Sequence, residues 1–195
     1  MRIPDIRLNV IIMTFSWLAS SFNYYMVGFL LKYFPGNVYV NGAVSAISEV
    51  VATILAGVIY EKLGCKKAFV FMYALSTVGG VGIVIYEMSV GFYKNDTELT
   101  SGWFFPFLVL FAKFGISSAF TLNYLCNVDL FPVLFVSTAY GFCNFFARFF
   151  TIFAPQVAEI QSVFPMTLFS IFSCIAMITS MFLKVKPKED TAATN

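Results

Sequence analysis

Residues 134–155 read LFVSTAYGFCNFFARFFTIFAP, an apolar run as long as a bilayer-spanning helix with one arginine, Arg148, well inside it. A charge at that depth costs about 2.5–3.5 kcal/mol on insertion scales, so it persists only beside a cavity, a partner or a guest that compensates it. Helical spacing sets its direction. Gly141, Asn144, Arg148, Thr151 and Pro155 recur at steps of three and four, forming one polar, small or helix-breaking stripe. Phe145, Phe146, Phe149, Phe150 and Phe153 fall mostly elsewhere. The stripe is expected to face a water-filled or protein-filled interior, the phenylalanines lipid or neighbouring helices, and Pro155 to end the helix.

The rest of the chain has the same character. Of 195 residues, 59% are hydrophobic and 11% charged, and the mean hydropathy is +0.84, which excludes an ordinary soluble domain. Turn and charge signals divide it into six apolar segments of spanning length, 8–31, 38–60, 68–89, 104–127, 134–155 and 164–183. The expected fold is therefore an all-α membrane protein, one six-helix transmembrane domain over residues 1–195 with a cytoplasmic tail at 184–195. A net charge of +2 is too small to indicate nucleic-acid binding.

Basic residues set the orientation. Arg2 and Arg7, then Lys62, Lys66 and Lys67, then Lys184, Lys186 and Lys188 fall on one side of the expected spans, while Lys32 and Lys94 fall on the other. By the positive-inside rule both termini are cytoplasmic. Asn95-Asp96-Thr97 then lies in an outward loop, where Asn95 can serve as a glycosylation acceptor. Arg2, Arg7 and the small residues Ala19-Ser20-Ser21 would also suit a cleaved signal, but the apolar run continues well past the length of a signal core. Cys65, Cys126, Cys143 and Cys174 lie in or beside helices without metal-type spacing, and read as packing residues.

Each span carries its own clue. The first places Trp17, Ser21, Tyr24 and Gly28 on one face, and Tyr24-Tyr25 lies deeper than interfacial tyrosines do, as an interhelical hydrogen-bonding pair or as the aromatic wall of a cavity. The second places Glu49 near mid-span on a stripe of small residues, as one member of an internal ion pair or as a substrate contact. The third, with Ser76, Gly79, Gly80 and Gly82, presents a close-packing face. In the fourth, Lys113 shares a stripe with Ser117, Thr121 and Tyr124, and is expected to pair with Glu49 or a carbonyl. Between the second and third spans, Gly57, Glu61, Lys62, Gly64, Lys66 and Lys67 form a short charged connection whose ion pairs could break and re-form as helices rock.

That connection fits G-x-x-x-[DE]-[KR]-x-G-x-[KR]-[KR] and resembles the cytoplasmic loop motif of the major facilitator superfamily, between the eighth and ninth of its twelve helices. Residues 17–25 (WLASSFNYY), Gly36-Asn37-Val38-Tyr39, Glu49, Lys113-Phe114-Gly115 and Asn127-Val128-Asp129-Leu130-Phe131-Pro132 are similar, in order and spacing, to the C-terminal half of its organic ion transporter family. The resemblance covers residues from about 10 to 160. It implies alternating access between two six-helix bundles around a midplane site, with Asp129 joining the charged connection in a gating network. Some positions depart from the family pattern. Val136 and Cys65 stand where arginines are usual, and residues 184–190 retain little of the family's closing motif.

The resemblance also implies a substrate class. At the position of Arg148 the family's cation carriers have aspartate and its carriers of anions and zwitterions have arginine. Charge counting points the same way, since Lys113 and Arg148 against Glu49 leave one positive charge for a carboxylate, with Tyr24, Tyr25 and Asn144 around it. The family's anion carriers often place a lysine one turn past the acidic residue, and Thr53 stands there instead. The expected function is transport of a small organic anion or zwitterion across the plasma membrane, without cofactor or metal. A missing N-terminal half or a second six-helix bundle would complete the carrier. A non-transporting accessory subunit is the alternative. An enzyme is not expected, because the chain has no histidine and no nucleophile or metal-ligand motif.

Overall fold

The computed structural model describes residues 3–33, 38–90, 104–160 and 162–185, all helical or in short connections. The elements are α1 (Ile3–Leu30), continued by a tighter 3-10 turn (Leu31–Tyr33), α2 (Val38–Val90), α3 (Phe104–Leu130), α4 (Val133–Thr151), α5 (Ala154–Ala158) and α6 (Phe164–Ser180). The chain is an all-α membrane protein: the stretches Ile6–Tyr33, Gly42–Ser89, Phe107–Leu130 and Val133–Ala158 are long and apolar enough to cross a bilayer. Asn95, the expected glycosylation acceptor, lies outside the described residues, as do Arg2, Lys94, Lys186 and Lys188.

At 53 residues α2 would be about 80 Å long if straight, far more than a bilayer is thick. It is not straight. Gly64 has φ 74° and ψ 167°, a conformation open to glycine and strained for any other residue. Contacts on either side show that the chain reverses there. Going up α3, Lys113 meets Glu49, Ser118 meets Ala52 and Asp129 meets Tyr60, so the first arm of α2 runs parallel to α3. Beyond Gly64 the order inverts, with Gly115 against Met72 and Ser76, Ala112 against Gly79 and Leu108 against Gly82. The sequence expectation of a loop over 61–67 is corrected here. Helix runs up to Gly64 and resumes after it, so Glu61, Lys62, Lys66 and Lys67 occupy helix ends.

Other contacts extend the alternation. Ser16 and Ser20 both reach Asn123 while Tyr24 stacks on Phe120, an antiparallel pairing of α1 with α3. Thr14 touches Cys143 and Ser21 touches Thr151, so α4 runs parallel to α1. Asn9 bonds Lys184 in both directions, at 2.8 and 3.1 Å, whereas Asn23 bonds Phe169 and Ser173, which sets α6 antiparallel to α1. The start of α1, the Gly64 reversal, the end of α3 and the end of α6 therefore share one end of the bundle. Arg7, Lys62, Lys66, Lys67 and Lys184 all gather there, whereas Lys32 lies at the other.

Small residues let the helices approach closely. A Cβ added at Gly115 would stand 2.5 Å from the Ser76 nitrogen, and one at Gly79 would stand 2.4 Å from the Ala112 nitrogen, so α3 and the second arm of α2 meet backbone to backbone. The close-packing face expected for Ser76, Gly79, Gly80 and Gly82 is divided, with Ser76, Gly79 and Gly82 against α3 and Gly80 against Phe169 and Ser170 of α6. A polar knot joins three elements at the centre, where the Ser16 hydroxyl lies 2.8 Å from the Tyr73 hydroxyl and donates to Asn123 at 2.9 Å, and Asn123 donates to Ser20 at 2.6 Å. Satisfied in this way, buried polar groups fix the register of α1 against its neighbours.

One expectation for residues 134–155 needs correction. The helix stops at Thr151, and Pro155 falls in the first turn of α5 instead of ending a helix. Proline lacks the N–H that an uninterrupted helix would need from it, but suits a first turn, where that N–H has no partner to lose. The most buried face of α4 lies beside the polar stripe. It is formed by Ala139, Cys143 and Ala147, spaced by four, while Gly141 and Arg148 are exposed and Asn144 half-buried. The phenylalanines at 145, 149, 150 and 153 are exposed, as expected.

Candidate functional site

Of the three charged side chains expected around a substrate, the structure makes a pair and a single. Lys113 is buried on α3, and its Nζ stands 3.8 Å from Glu49 Oε2 on the first arm of α2. The ammonium also sits over the Tyr24 ring, 4.1 Å from the centroid. Glu49 Oε1 accepts a hydrogen bond from the Tyr24 hydroxyl. Lys113 and Glu49 thus neutralise each other, and Tyr24 serves both, one through its ring and the other through its hydroxyl.

Arg148 lies across α1 from this pair. Its Nη1 donates to the Tyr25 hydroxyl at 2.7 Å and its Nε to Asn144 Oδ1 at 3.3 Å, with the guanidinium carbon 5.6 Å from the Tyr25 ring centroid. Both partners are neutral, and no carboxylate among the described residues pairs with Arg148. Arg148 and Glu49 do not pair. A guanidinium carries five N–H donors, so three remain for a guest after Tyr25 and Asn144 have accepted one each.

Adjacent tyrosines connect the two halves of the site. Tyr24 and Tyr25 meet edge to face with centroids 5.2 Å apart, and Tyr24 stacks on Phe120 at 5.2 Å. The six residues expected around a substrate therefore form one continuous chain: Lys113, Glu49, Tyr24, Tyr25, Arg148, Asn144. A larger aromatic cluster lies beneath it, with Trp17 4.7 Å from Tyr124 and 5.3 Å from Tyr140, and Phe120 5.5 Å from Tyr124. Sequence reading missed Tyr140 and Phe120 as neighbours of the site. Phe120 sits seven residues after Lys113, two helical turns along the same face, and that spacing was the available signal.

The expected gating residues share one end of the bundle, but no ion pair joins them among the described residues. Asp129 accepts a hydrogen bond from Tyr60 and not from the charged residues around the reversal. Glu61, Lys62, Lys66 and Lys67 are exposed, and no ion pair links them among the described residues. Gly57 has no heavy atom within 4 Å of a built Cβ, so it is not a contact point in this conformation. Cys65, Cys126 and Cys143 are buried free thiols, and Cys174 is half-buried.

No family model matches the chain. Individual proteins do. Mouse solute carrier family 22 member 3 is 25% identical over 178 residues, covering 89% of this chain and 30% of that protein. Mouse solute carrier family 22 member 4 is 27% identical over 154 residues, 79% of this chain and 26% of that protein. The chain is thus similar to several members of solute carrier family 22. Mouse organic anion transporter 3 is 22% identical over 185 residues, 93% of this chain and 32% of that protein. The chain spans about a third of the length of the curated relatives it matches. Long apolar helices and similarity to family 22 proteins together describe a multi-pass integral membrane protein.

Proposed function

We propose that this chain forms the C-terminal six-helix bundle of a family 22 carrier and contributes the anion-recognising wall of its substrate site. One observation carries the reading: Arg148 is exposed and held only by neutral groups, whereas the other two charges of the candidate site, Lys113 and Glu49, satisfy each other. A guest carboxylate would meet a guanidinium already oriented by Tyr25 and Asn144, and its apolar body would lie against Tyr24 and Tyr25. Small organic anions or zwitterions are the class that fits. A cation would face an unpaired positive charge.

Transport follows from alternating access. An opposing bundle covers the face that carries Arg148, and rocking exposes the site to each side of the membrane in turn. The clustering of Arg7, Lys62, Lys66, Lys67 and Lys184 at one end supports a cytoplasmic assignment for that end and for both termini, in the plasma membrane. In the complete twelve-helix carrier, Arg148→Ala is expected to abolish carboxylate uptake at unchanged surface expression, with Arg148→Lys recovering only part because lysine restores charge without the planar fork. Full uptake by Arg148→Ala would reject the assignment.

A further inference from the structure

The chain leaves regular α-helix twice on the same side of the site. Beyond Tyr24 and Tyr25, α1 tightens into the 3-10 turn Leu31–Tyr33. Beyond Arg148, α4 breaks at Ile152 and Phe153 and resumes as α5, with Pro155 in its first turn. Breaks of this kind are where helices bend. The 3-10 turn itself is tied to the end of α5: Lys32 Nζ bonds Glu159 Oε1, the Tyr33 hydroxyl bonds Glu159 Oε2, and the Lys32 ammonium lies 4.7 Å from the Tyr33 ring centroid. Glu159 caps the C-terminal end of α5. A single carboxylate thus bridges two consecutive residues on the extension of α1.

We infer that Lys32, Tyr33 and Glu159 form a clasp that joins the 3-10 turn to α5 and closes the Lys32 end of the Arg148 site. The inference rests on the transport reading. In it, α1 and α4 are the two parallel helices that carry Tyr24, Tyr25, Asn144 and Arg148, and their outer extensions swing together as one flap while the clasp holds. An exposed ion pair is weak enough to release under thermal motion, because water screens it and long side chains lose freedom in forming it. That is what a reversible catch requires. The breaks at Leu31–Tyr33 and Ile152–Phe153 let the flap move without disturbing the Ser21–Thr151 bond at 2.9 Å below.

The test reads access to the site without any substrate. In the complete carrier with its native cysteines replaced, a single reporter is placed by Asn144→Cys, and its labelling rate by a membrane-impermeant maleimide is followed from the Lys32 side. Lys32→Gln or Glu159→Gln is expected to raise the rate about two- to fivefold, the range an exposed pair supports. The exchange Lys32→Glu with Glu159→Lys is expected to bring it back toward the parent. Raising the salt concentration should speed labelling of the parent but not of Glu159→Gln. Unchanged rates in the single variants, or an exchange no slower than the singles, would overturn the clasp. Should a single variant fail to reach the membrane, the parent's salt series decides. An unaltered uptake by Arg148→Ala would sink the substrate reading and leave these rates untouched, so the two failures are separable.

Discussion

Gly115→Ala tests the packing that holds the bundle together. The added methyl would lie 2.5 Å from Ser76 N, 2.7 Å from Met72 O and 2.8 Å from Ser76 Cα, all backbone atoms that cannot rotate away. Restoring ordinary contact requires α3 and the second arm of α2 to separate by roughly 0.9 Å at this point. Overpacking of that kind costs about 1–3 kcal/mol. The separation would also remove the Ser76 hydrogen bond to the Ala112 carbonyl, already 3.5 Å long, for about 1 kcal/mol more. Alanine's better helix propensity returns at most about 1 kcal/mol. The net loss is therefore about 1–3 kcal/mol, or roughly 2–12 °C in melting temperature for a chain of this size. Gly141→Ala is the matched control, since nothing lies within 4 Å of its built Cβ. Melting would be followed in mild detergent by the temperature at which the monodisperse fraction is lost. A Gly115→Ala protein that melts with or above the parent would refute the close approach of the two helices.

Three further outcomes are expected. Removing Glu49 by Glu49→Gln strands a buried ammonium, whereas Lys113→Met leaves Glu49 one-third exposed and still bonded to Tyr24, so Glu49→Gln should be the more destabilising, toward the low end of about 3–5 kcal/mol, with the double variant better than the sum in a melting cycle. The Lys32 ammonium, and then the Tyr33 hydroxyl, hold the Glu159 carboxyl below the usual carboxylate range. The clasp should therefore be fully formed at neutral pH and lost as pH falls through the acid range, which a pH series of the reporter labelling would check. Cysteine at Lys67 should be shielded from an impermeant reagent in intact cells and cysteine at Glu159 labelled, and the reverse pattern would invert the orientation.

Much of this arrangement was legible before any coordinates. Apolar segments long enough for a bilayer, cut by charged turns, announce helices, and Gly79, Gly80 and Gly82 announce close helix contacts. Lys113 was expected to pair with Glu49 or a carbonyl because a charge alone would be costly at depth, and the structure pairs it with Glu49. What could not be read was the allocation of neighbours. Tyr24 and Tyr25 are separated by about 100° around α1, and which of them reaches Glu49 and which Arg148 depends on how α1 sits between α2 and α4. The packed face of α4 was hidden for a related reason. Ala139, Cys143 and Ala147 are unobtrusive beside an arginine, yet small residues are what allow one membrane helix to lie against another. Tyr60, and not the basic turn, took Asp129 because the reversal at Gly64 is tight enough to keep both flanking segments helical, so the turn's lysines point away.

Equilibrium binding of a radiolabelled aromatic carboxylate to the purified carrier, measured beside melting for the parent, Arg148→Ala and Arg148→Ala combined with Glu49→Ala, tests the assignment of Arg148 most directly. Loss of a charge-assisted contact to a guest predicts about 10- to 150-fold weaker binding by Arg148→Ala at an unchanged melting temperature, with no recovery in the double variant. Arg148→Ala that binds as tightly as the parent, or that melts far lower and regains both stability and affinity once Glu49 is also removed, would make Arg148 a structural strut and contradict the account.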